Sequence, residues 1–402
     1  MTSAPEQPLQ FPLERSCPFD PSPEYARLRV ERPVAPATFA GRPAWLVTRY
    51  DDVRKALADP RLSADGSRPD FPQVAPASAA ITEHTGMPAF LRMDPPRHGA
   101  MRKLVTRDFL VRRAEAMRPR VQALVDSLID QMLAGPKPAD LVAALANPLP
   151  STVIGWLLDV PEQDQEFFQD RSTYVFRRGL TPEVQLSKVL ELNDYLDGLI
   201  EAKVAEPGDD IISRLVVEHM RVGDLSRREV RGIAMLLLVA GHETTGNMIA
   251  LGTLALLEHR EQFEELSADA SLAPNAVEEL LRYLTILDDP NWRVAAEDLE
   301  LGGQSIKAGD AVKPVTQSAN RDETQYPDPD VLDIHRGRRD HLAFGFGVHQ
   351  CLGQSLARVE LQVVYATLAR RIPTLRLAVP IDDVPFKTDV DIYGVHELPV
   401  TW

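Results

Sequence analysis

Leu, Val and Ala recur at helical spacing, with Glu, Arg and Lys between them, over residues 112–134, 151–158, 183–205, 226–259, 274–285 and 352–371. Each stretch predicts a helix. Two segments carry strand patterns instead. Residues 40–49 (AGRPAWLVTR) read as a turn and strand, and 293–313 (RVAAEDLELGGQSIKAGDAVK) as strands with a hairpin turn at Gly302-Gly303. The pattern predicts a mainly α protein with a small β portion from about 30–65, 293–316 and 374–402, with 1–402 as a single domain. Lys313-Pro314 fits a strand poorly, because proline donates nothing to a ladder. Residues 70–90, rich in Pro, Ala and Ser, read as a surface loop of the long kind that often serves function.

The 226–259 helix is unusual. Ser226 and Glu229 form a capping-box signature at its start. Its length of about 34 residues would span about 50 Å, enough to cross a domain. Its middle reads Ala240-Gly241-His242-Glu243-Thr244-Thr245-Gly246, between the apolar runs MLLLVA and MIALGTLALL. Glycine costs about 1 kcal/mol in a helix interior. An acid and two hydroxyls are costly if buried without partners. A kinked core helix with satisfied threonines would account for this, and so would a groove where a small ligand meets a polar relay.

Composition narrows the function. The net charge of −15 argues against nucleic acid, which needs a basic footprint. No apolar run approaches the roughly 18 residues of a membrane span, and MTSAPEQPLQFP lacks signal-peptide character, so a cytoplasmic protein is expected. Two cysteines, Cys17 and Cys351, make no disulfide framework.

The chemistry concentrates in His341-Leu-Ala-Phe-Gly-Phe-Gly-Val-His349-Gln-Cys351-Leu-Gly353. Gly345 and Gly347 allow a tight turn with positive φ. Cys351 then stands at the start of the predicted 352–371 helix, where a helix N-terminus favours the thiolate. Gly353 would let a flat cofactor approach the backbone. An inert buried cysteine, a zinc site with His335, His341 and His349, and a nucleophile served by His349 are alternatives. A phosphate loop fails because Gln350 stands where a third glycine is needed, and His242-Glu243 lacks the second histidine of a zinc protease.

Phe344-Gly345-Phe346-Gly347-Val348-His349-Gln350-Cys351-Leu352-Gly353 resembles the haem-binding loop of the cytochrome P-450 superfamily. Ala240-Gly241-His242-Glu243-Thr244-Thr245 resembles its oxygen-activating motif, and Glu279-Leu280-Leu281-Arg282 its E-x-x-R motif. The resemblance extends over nearly the whole chain and is greatest to the soluble bacterial, ferredoxin-fed branch that hydroxylates macrolides, sterol-like compounds and vitamin D. It implies a triangular, mainly helical catalytic domain with haem b between the long helix and the cysteine-loop helix. Cys351 would ligate the iron, with Phe344 beside it and Ala240, Gly241, Gly345 and Gly353 against the ring. His98, Arg102, Arg293 and His349 would hold the propionates. Thr244 and Glu243 would deliver protons. Glu279, Arg282 and Arg336 would form a structural ion-pair cluster. Dioxygen would be the co-substrate, with electrons ultimately from NAD(P)H through a ferredoxin reductase and ferredoxin.

The resemblance also implies a small organic substrate and a monomer. Substrate contacts are expected from 72–92, 168–190, Leu236–Met248, 286–292 and Ile392-Tyr393, among them Phe90, Leu236, Leu237, Ala240, Asp289, Asn291 and Ile392. Asp288-Asp289-Pro290-Asn291-Trp292 is more polar than expected before Arg293, and Arg92 is a further surprise, which together suggest a polar or charged substrate group. Arg102, Lys103, Arg112, Arg113, Arg338 and Arg339 are expected to make a local basic patch for ferredoxin despite the acidic whole. Peroxide-driven oxidation, ring coupling, nitration, gas sensing and hydrolysis at a nucleophilic cysteine are the competing functions.

Overall fold

The capping box at Ser226 forms as its residues dictate. The Ser226 N–H donates to a Glu229 carboxylate oxygen at 2.9 Å, and the Glu229 N–H donates to the Ser226 hydroxyl at 3.2 Å. The helix it starts runs unbroken from Arg227 to Glu258 in the computed structural model. The structure describes residues 9–15, 17–72, 84, 89–175, 177, 180–287, 291–388 and 390–402. The helices that build the site are α1 (Arg97–Thr106), α2 (Val111–Ala134), α3 (Pro148–Leu158), α4 (Gln165–Thr173), α5 (Pro182–Ala205), α6 (Arg227–Glu258), α7 (Ala273–Leu284) and α8 (Gln354–Arg371). α1 and α4 were not read as helices from the sequence, and two others begin two or more residues from where it placed them, for clear reasons. α3 starts earlier, because Pro148 occupies its first turn, where no N–H is needed. α8 starts later, because Cys351–Gly353 is still a turn.

α6 is apolar on all sides and nearly all of it is buried, as a central helix must be. It packs on α3, α4, α5, α7 and α8. Its glycines serve close approach: a Cβ at Gly252 would overlap the Tyr365 hydroxyl of α8, and one at Gly246 would lie 2.9 Å from the Ala146 carbonyl oxygen. Ala240 is the exception. It is exposed although Val239 is 1% and His242 2% exposed, so the packing opens at this point of the helix.

The strands are β1 (Leu9–Phe11), β2 (Val34–Phe39), β3 (Arg42–Val47), β4 (Leu62–Ser63), β5 (Ala139–Asp140), β6 (Arg293–Ala295), β7 (Leu299–Leu301), β8 (Gln304–Ile306), β9 (Ala311–Pro314), β10 (Arg376–Leu377) and β11 (Pro399–Thr401). The largest sheet has the order β1-β2-β3-β9-β6-β4, with β10-β11-β5 and the β7-β8 hairpin apart. Gly302 and Gly303 turn that hairpin at φ 54° and 79°. Pro314 is tolerated in a central strand because β6 pairs only with Ala311 and Val312, so Pro314 lies beyond the last rung on that side. A fully buried Trp292 packs its ring 4.4 Å from Phe39 and edge-on to Phe11 at 5.6 Å. This aromatic cluster anchors the β portion beside β6 and so fixes Arg293.

Candidate active site

The cysteine loop is built by backbone geometry. Gly345 and Gly347 have φ of 70° and 75°, and a Cβ on Gly347 would come within 2.9 Å of the Leu57 carbonyl oxygen. The Cys351 N–H donates to the Phe344 carbonyl at 2.8 Å and closes the loop. Cys351 is surrounded by protein, yet its side chain remains accessible. Cys351 precedes the helix instead of starting it, and burial pushes the thiol up. The N–H groups of Gly353 and Gln354, which hydrogen-bond to the sulfur, and the cations Arg102 and Arg358 pull the other way without prevailing.

A network that the sequence reading missed supports this loop. The Arg358 guanidinium grips Glu278 at 2.7 and 3.0 Å and lies over the Phe344 ring at 4.6 Å. His341 contacts the same carboxylate at 3.0 Å. Burial pushes Glu278 up, but hydrogen bonds from His341 and Arg358 win and hold it at about 2. The neighbouring carboxylate serves the predicted cluster. Glu279 takes Arg282 bidentately at 2.7 and 2.8 Å and Arg336 at 3.1 Å, with Glu279 and Arg282 each 1% exposed. Arg282 also donates to the Asn320 and Pro329 carbonyls at 2.8 Å each.

Beside the sulfur, cations converge. Arg102 donates to the Gln350 carbonyl at 2.6 Å. The His98 and His349 rings lie 4.1 Å apart, and Phe90 is 6.3 Å from His98. Arg293 is buried and donates to the Trp292 carbonyl at 2.9 Å, and Arg92 approaches the same carbonyl at 3.5 Å. Burial first, then Arg293, His98, Arg102 and Arg92, drive His349 down to about 3. Burial, and then Arg92, bring even Arg293 down to about 10. Arg92 thus joins the basic cluster. The nearby Asp94 is already bonded to Ser63 and the Ala64 N–H.

This set fits the haem that the resemblance implies. His98 Nε2 is buried with no hydrogen-bond partner. Basic groups that depress each other's protonation call for an anion, and two propionates answer that. The thiol at their side offers the iron ligand. Among the described residues no group of three or more His, Cys, Asp or Glu side chains is placed to hold a bare metal ion, which removes the zinc reading there.

On α6, the proton-handling pair is arranged differently from expectation. The Thr244 hydroxyl donates to the Ala240 carbonyl at 2.7 Å, four residues back. Glu243 turns to the other side, where Lys387 donates to its Oε1 at 2.8 Å and Asn247 at 3.2 Å. Lys387 also donates to Asn247 Oδ1 at 2.9 Å. Lys387 had no local signal, since it lies 144 positions from Glu243. Burial pushes Glu243 up, but Lys387, His242 and the hydrogen bonds hold it below the usual carboxylate range. A Lys387→Met variant removes the chief opposing charge, so burial prevails and the carboxyl rises. The acid limb of the pH–rate profile should move to higher pH, and Lys387→Arg should restore it. An unmoved limb would show that Glu243 ionisation does not limit the rate.

Of the expected substrate contacts, Leu236 and Leu237 lie on α6 one turn before Ala240, and Ile392 is bridged to Leu287. Asp288, Asp289 and Pro290 lie outside the described residues, as does most of 72–92. Asn291 is half-buried, and Trp292 belongs to the aromatic core. Of the expected basic patch, Lys103, Arg112, Arg113 and Arg339 are exposed. Arg102 turns inward and Arg338 pairs with Asp340.

Comparison with known proteins agrees with this geometry. A family model described as cytochrome P-450 matches residues 187–372. Cytochrome P-450-SU2 of Streptomyces griseolus is 49% identical, over 100% of this chain and 98% of its own. The vitamin D3 dihydroxylase of the same organism is 48% identical, over 98% and 96%. The crystal structure of CYP105P1 in complex with filipin I superposes with a TM-score of 0.91 at 42% identity, covering 98% of this chain and 99% of that one. No helix among the described residues is long and apolar enough to cross a membrane. With relatives of this identity aligned from end to end, the chain belongs to the cytochrome P-450 family and is a P-450 monooxygenase.

Proposed function

We propose that this chain inserts one atom of dioxygen into a small, largely apolar natural product, by hydroxylation or epoxidation, using haem b and electrons passed from NAD(P)H through a ferredoxin reductase and a ferredoxin. The observation that carries this reading is the accessible Cys351 thiol flanked by His98, Arg102, Arg293 and His349, with the His98 Nε2 lacking a partner. The haem, when bound, supplies the dioxygen and electron-transfer chemistry. The chain supplies placement. Cys351 gives an electron-rich sulfur, its charge damped by the Gly353 and Gln354 N–H groups. Its four basic neighbours take the carboxylates. Thr244, its hydrogen committed to the Ala240 carbonyl, keeps its lone pairs free to accept a hydrogen bond at the opening beside Ala240. Glu243, held ionised by Lys387, is the adjacent proton acceptor.

The substrate class follows from the walls and the relatives. Phe90, Leu236, Leu237 and Ile392 are apolar, and relatives include a vitamin D3 dihydroxylase and a structure in complex with filipin I. A polyketide or sterol-like skeleton fits such walls. For the electron donor, exposed Lys103, Arg112, Arg113 and Arg339 offer positive charge, and exposed Leu110, Val111 and Val348 offer apolar surface near the cysteine loop and the start of α2. Such a face suits a small acidic protein.

The test is turnover under isotopically labelled dioxygen with a ferredoxin, its reductase, NADPH and a panel of macrolides, polyenes and sterols. One labelled oxygen in the product is expected, with a rate that falls steeply as salt is added. Electron consumption without any oxygenated product across the panel would overturn the reading. A rate indifferent to salt would remove electrostatic steering of the ferredoxin.

A further inference from the structure

His242 sits at the centre of α6, 2% exposed, between the catalytic face of the helix and α4. Its Nδ1 lies 3.2 Å from the Ser172 hydroxyl of α4. That hydroxyl has one hydrogen, for which the Gln169 carbonyl at 3.1 Å is an acceptor. With its hydrogen placed there, Ser172 accepts from Nδ1, and Nδ1 carries the imidazole hydrogen. Burial in particular keeps the ring neutral; Lys387 acts in the same direction and Glu243 against it. These facts leave Nε2 as a bare acceptor, and it is buried without a partner. A buried acceptor in this state needs a donor.

The next residue presents a matching vacancy of bonding. Both hydrogen bonds to Glu243, from Lys387 and Asn247, end on Oε1. Among the described residues Oε2 receives none. The two acceptors belong to consecutive residues whose side chains interact electrostatically, and a neutral nitrogen and a carboxylate oxygen cannot satisfy each other. A water molecule can satisfy both, since it carries two hydrogens, and a buried water typically needs two to four polar partners.

We propose that His242 is a positioning residue that holds one internal water against Glu243, and that this water is the second hydrogen-bonding contact setting the direction of the Glu243 carboxylate. Ser172 fixes the tautomer that makes the arrangement possible. The carboxylate is then held from two sides, by Lys387 and Asn247 at Oε1 and by the water at Oε2. α4 and the segment carrying Lys387 are thereby both connected to the acid. The role for turnover rests on the monooxygenase reading above, whereas the water site does not.

Two measurements test it on the haem-loaded protein. The first is a crystal structure at a resolution that orders internal waters, together with nitrogen-15 spectra of the histidines in the diamagnetic reduced carbon monoxide complex. Water within about 2.7–3.2 Å of His242 Nε2 is expected, with Nδ1 protonated; in Ser172→Ala the tautomer should shift toward Nε2–H. A dry site, or an Nε2–H tautomer in the wild type, overturns the proposal. The second is His242→Phe, which keeps the ring volume and removes both nitrogens. Product formed per electron consumed should fall several-fold with peroxide rising in step, while spectral substrate affinity and the carbon monoxide band stay unchanged. His242→Gln, which retains a side-chain acceptor, should recover part of the loss. Coupling equal to wild type in His242→Phe overturns the positioning role. Absence of turnover in the wild type on every substrate, with the water and tautomer as expected, would instead count against the monooxygenase reading and leave the site standing.

Discussion

In a Cys351→His variant the strongly red-shifted Soret band of the reduced carbon monoxide complex is lost, and turnover falls by more than about 100-fold, the scale already reached when only a supporting contact of a metal ligand is removed. The fold should survive. The bond that closes the loop, from the Cys351 N–H to the Phe344 carbonyl, belongs to the backbone. What changes is the donor: a neutral nitrogen replaces a sulfur that pushes electron density toward the iron. Absorption spectra of the reduced, carbon monoxide-treated variant and wild type decide the matter. A retained red-shifted band would mean that another group ligates the iron.

The second large effect is structural. Glu279→Ala strands the Arg282 guanidinium, 1% exposed, without its carboxylate and deprives Arg336 of the same partner. Breaking a buried pair by removing one member costs about 3–5 kcal/mol, because the remaining charge stays desolvated. That is a large fraction of a protein's net stability. Denaturant titration should place the midpoint well below that of wild type, and soluble yield should drop. Replacing Arg282 as well should not restore stability fully, since its guanidinium also satisfies the Asn320 and Pro329 carbonyls. A Glu279→Ala protein as stable as wild type would show the cluster to be dispensable.

Glu278, next in sequence, gives the accompanying pH dependence. Its carboxyl is held at about 2, below the ordinary 4.5, so its contribution to stability is fully present above about 4.5 and is lost as pH falls toward 2. Glu278→Gln should lose stability at neutral pH and flatten this part of the acid-unfolding curve. Since Glu278 holds Arg358 under Phe344, the variant should also loosen the cysteine loop.

How much of this was legible beforehand depended on sequence distance. α6 could be read in full, because a capping box and a long apolar run are local signals, and its bounds shifted by one residue at each end. The Glu279–Arg282 contact was legible too, since three residues on a helix bring side chains onto one face. The turn at Gly345 and Gly347 followed from the conformations only glycine adopts readily. The thiol's ionisation did not follow. Proximity to a helix start suggested a lowered value, but depth of burial outweighs the few N–H groups aimed at the sulfur, and burial is a property of the whole fold.

The sequence by itself determined most of the helical frame and the cysteine loop, because each is encoded within a few turns of chain. Only the tertiary structure decided the electrostatics of the site. Lys387 reaches Glu243 across 144 positions, Arg358 reaches Glu278 across 80, and Arg102 reaches the Gln350 carbonyl across 248. Coulombic and hydrogen-bonding partners act through space, and periodicity along a chain carries no record of which distant side chain will fill the one direction left open around a buried charge.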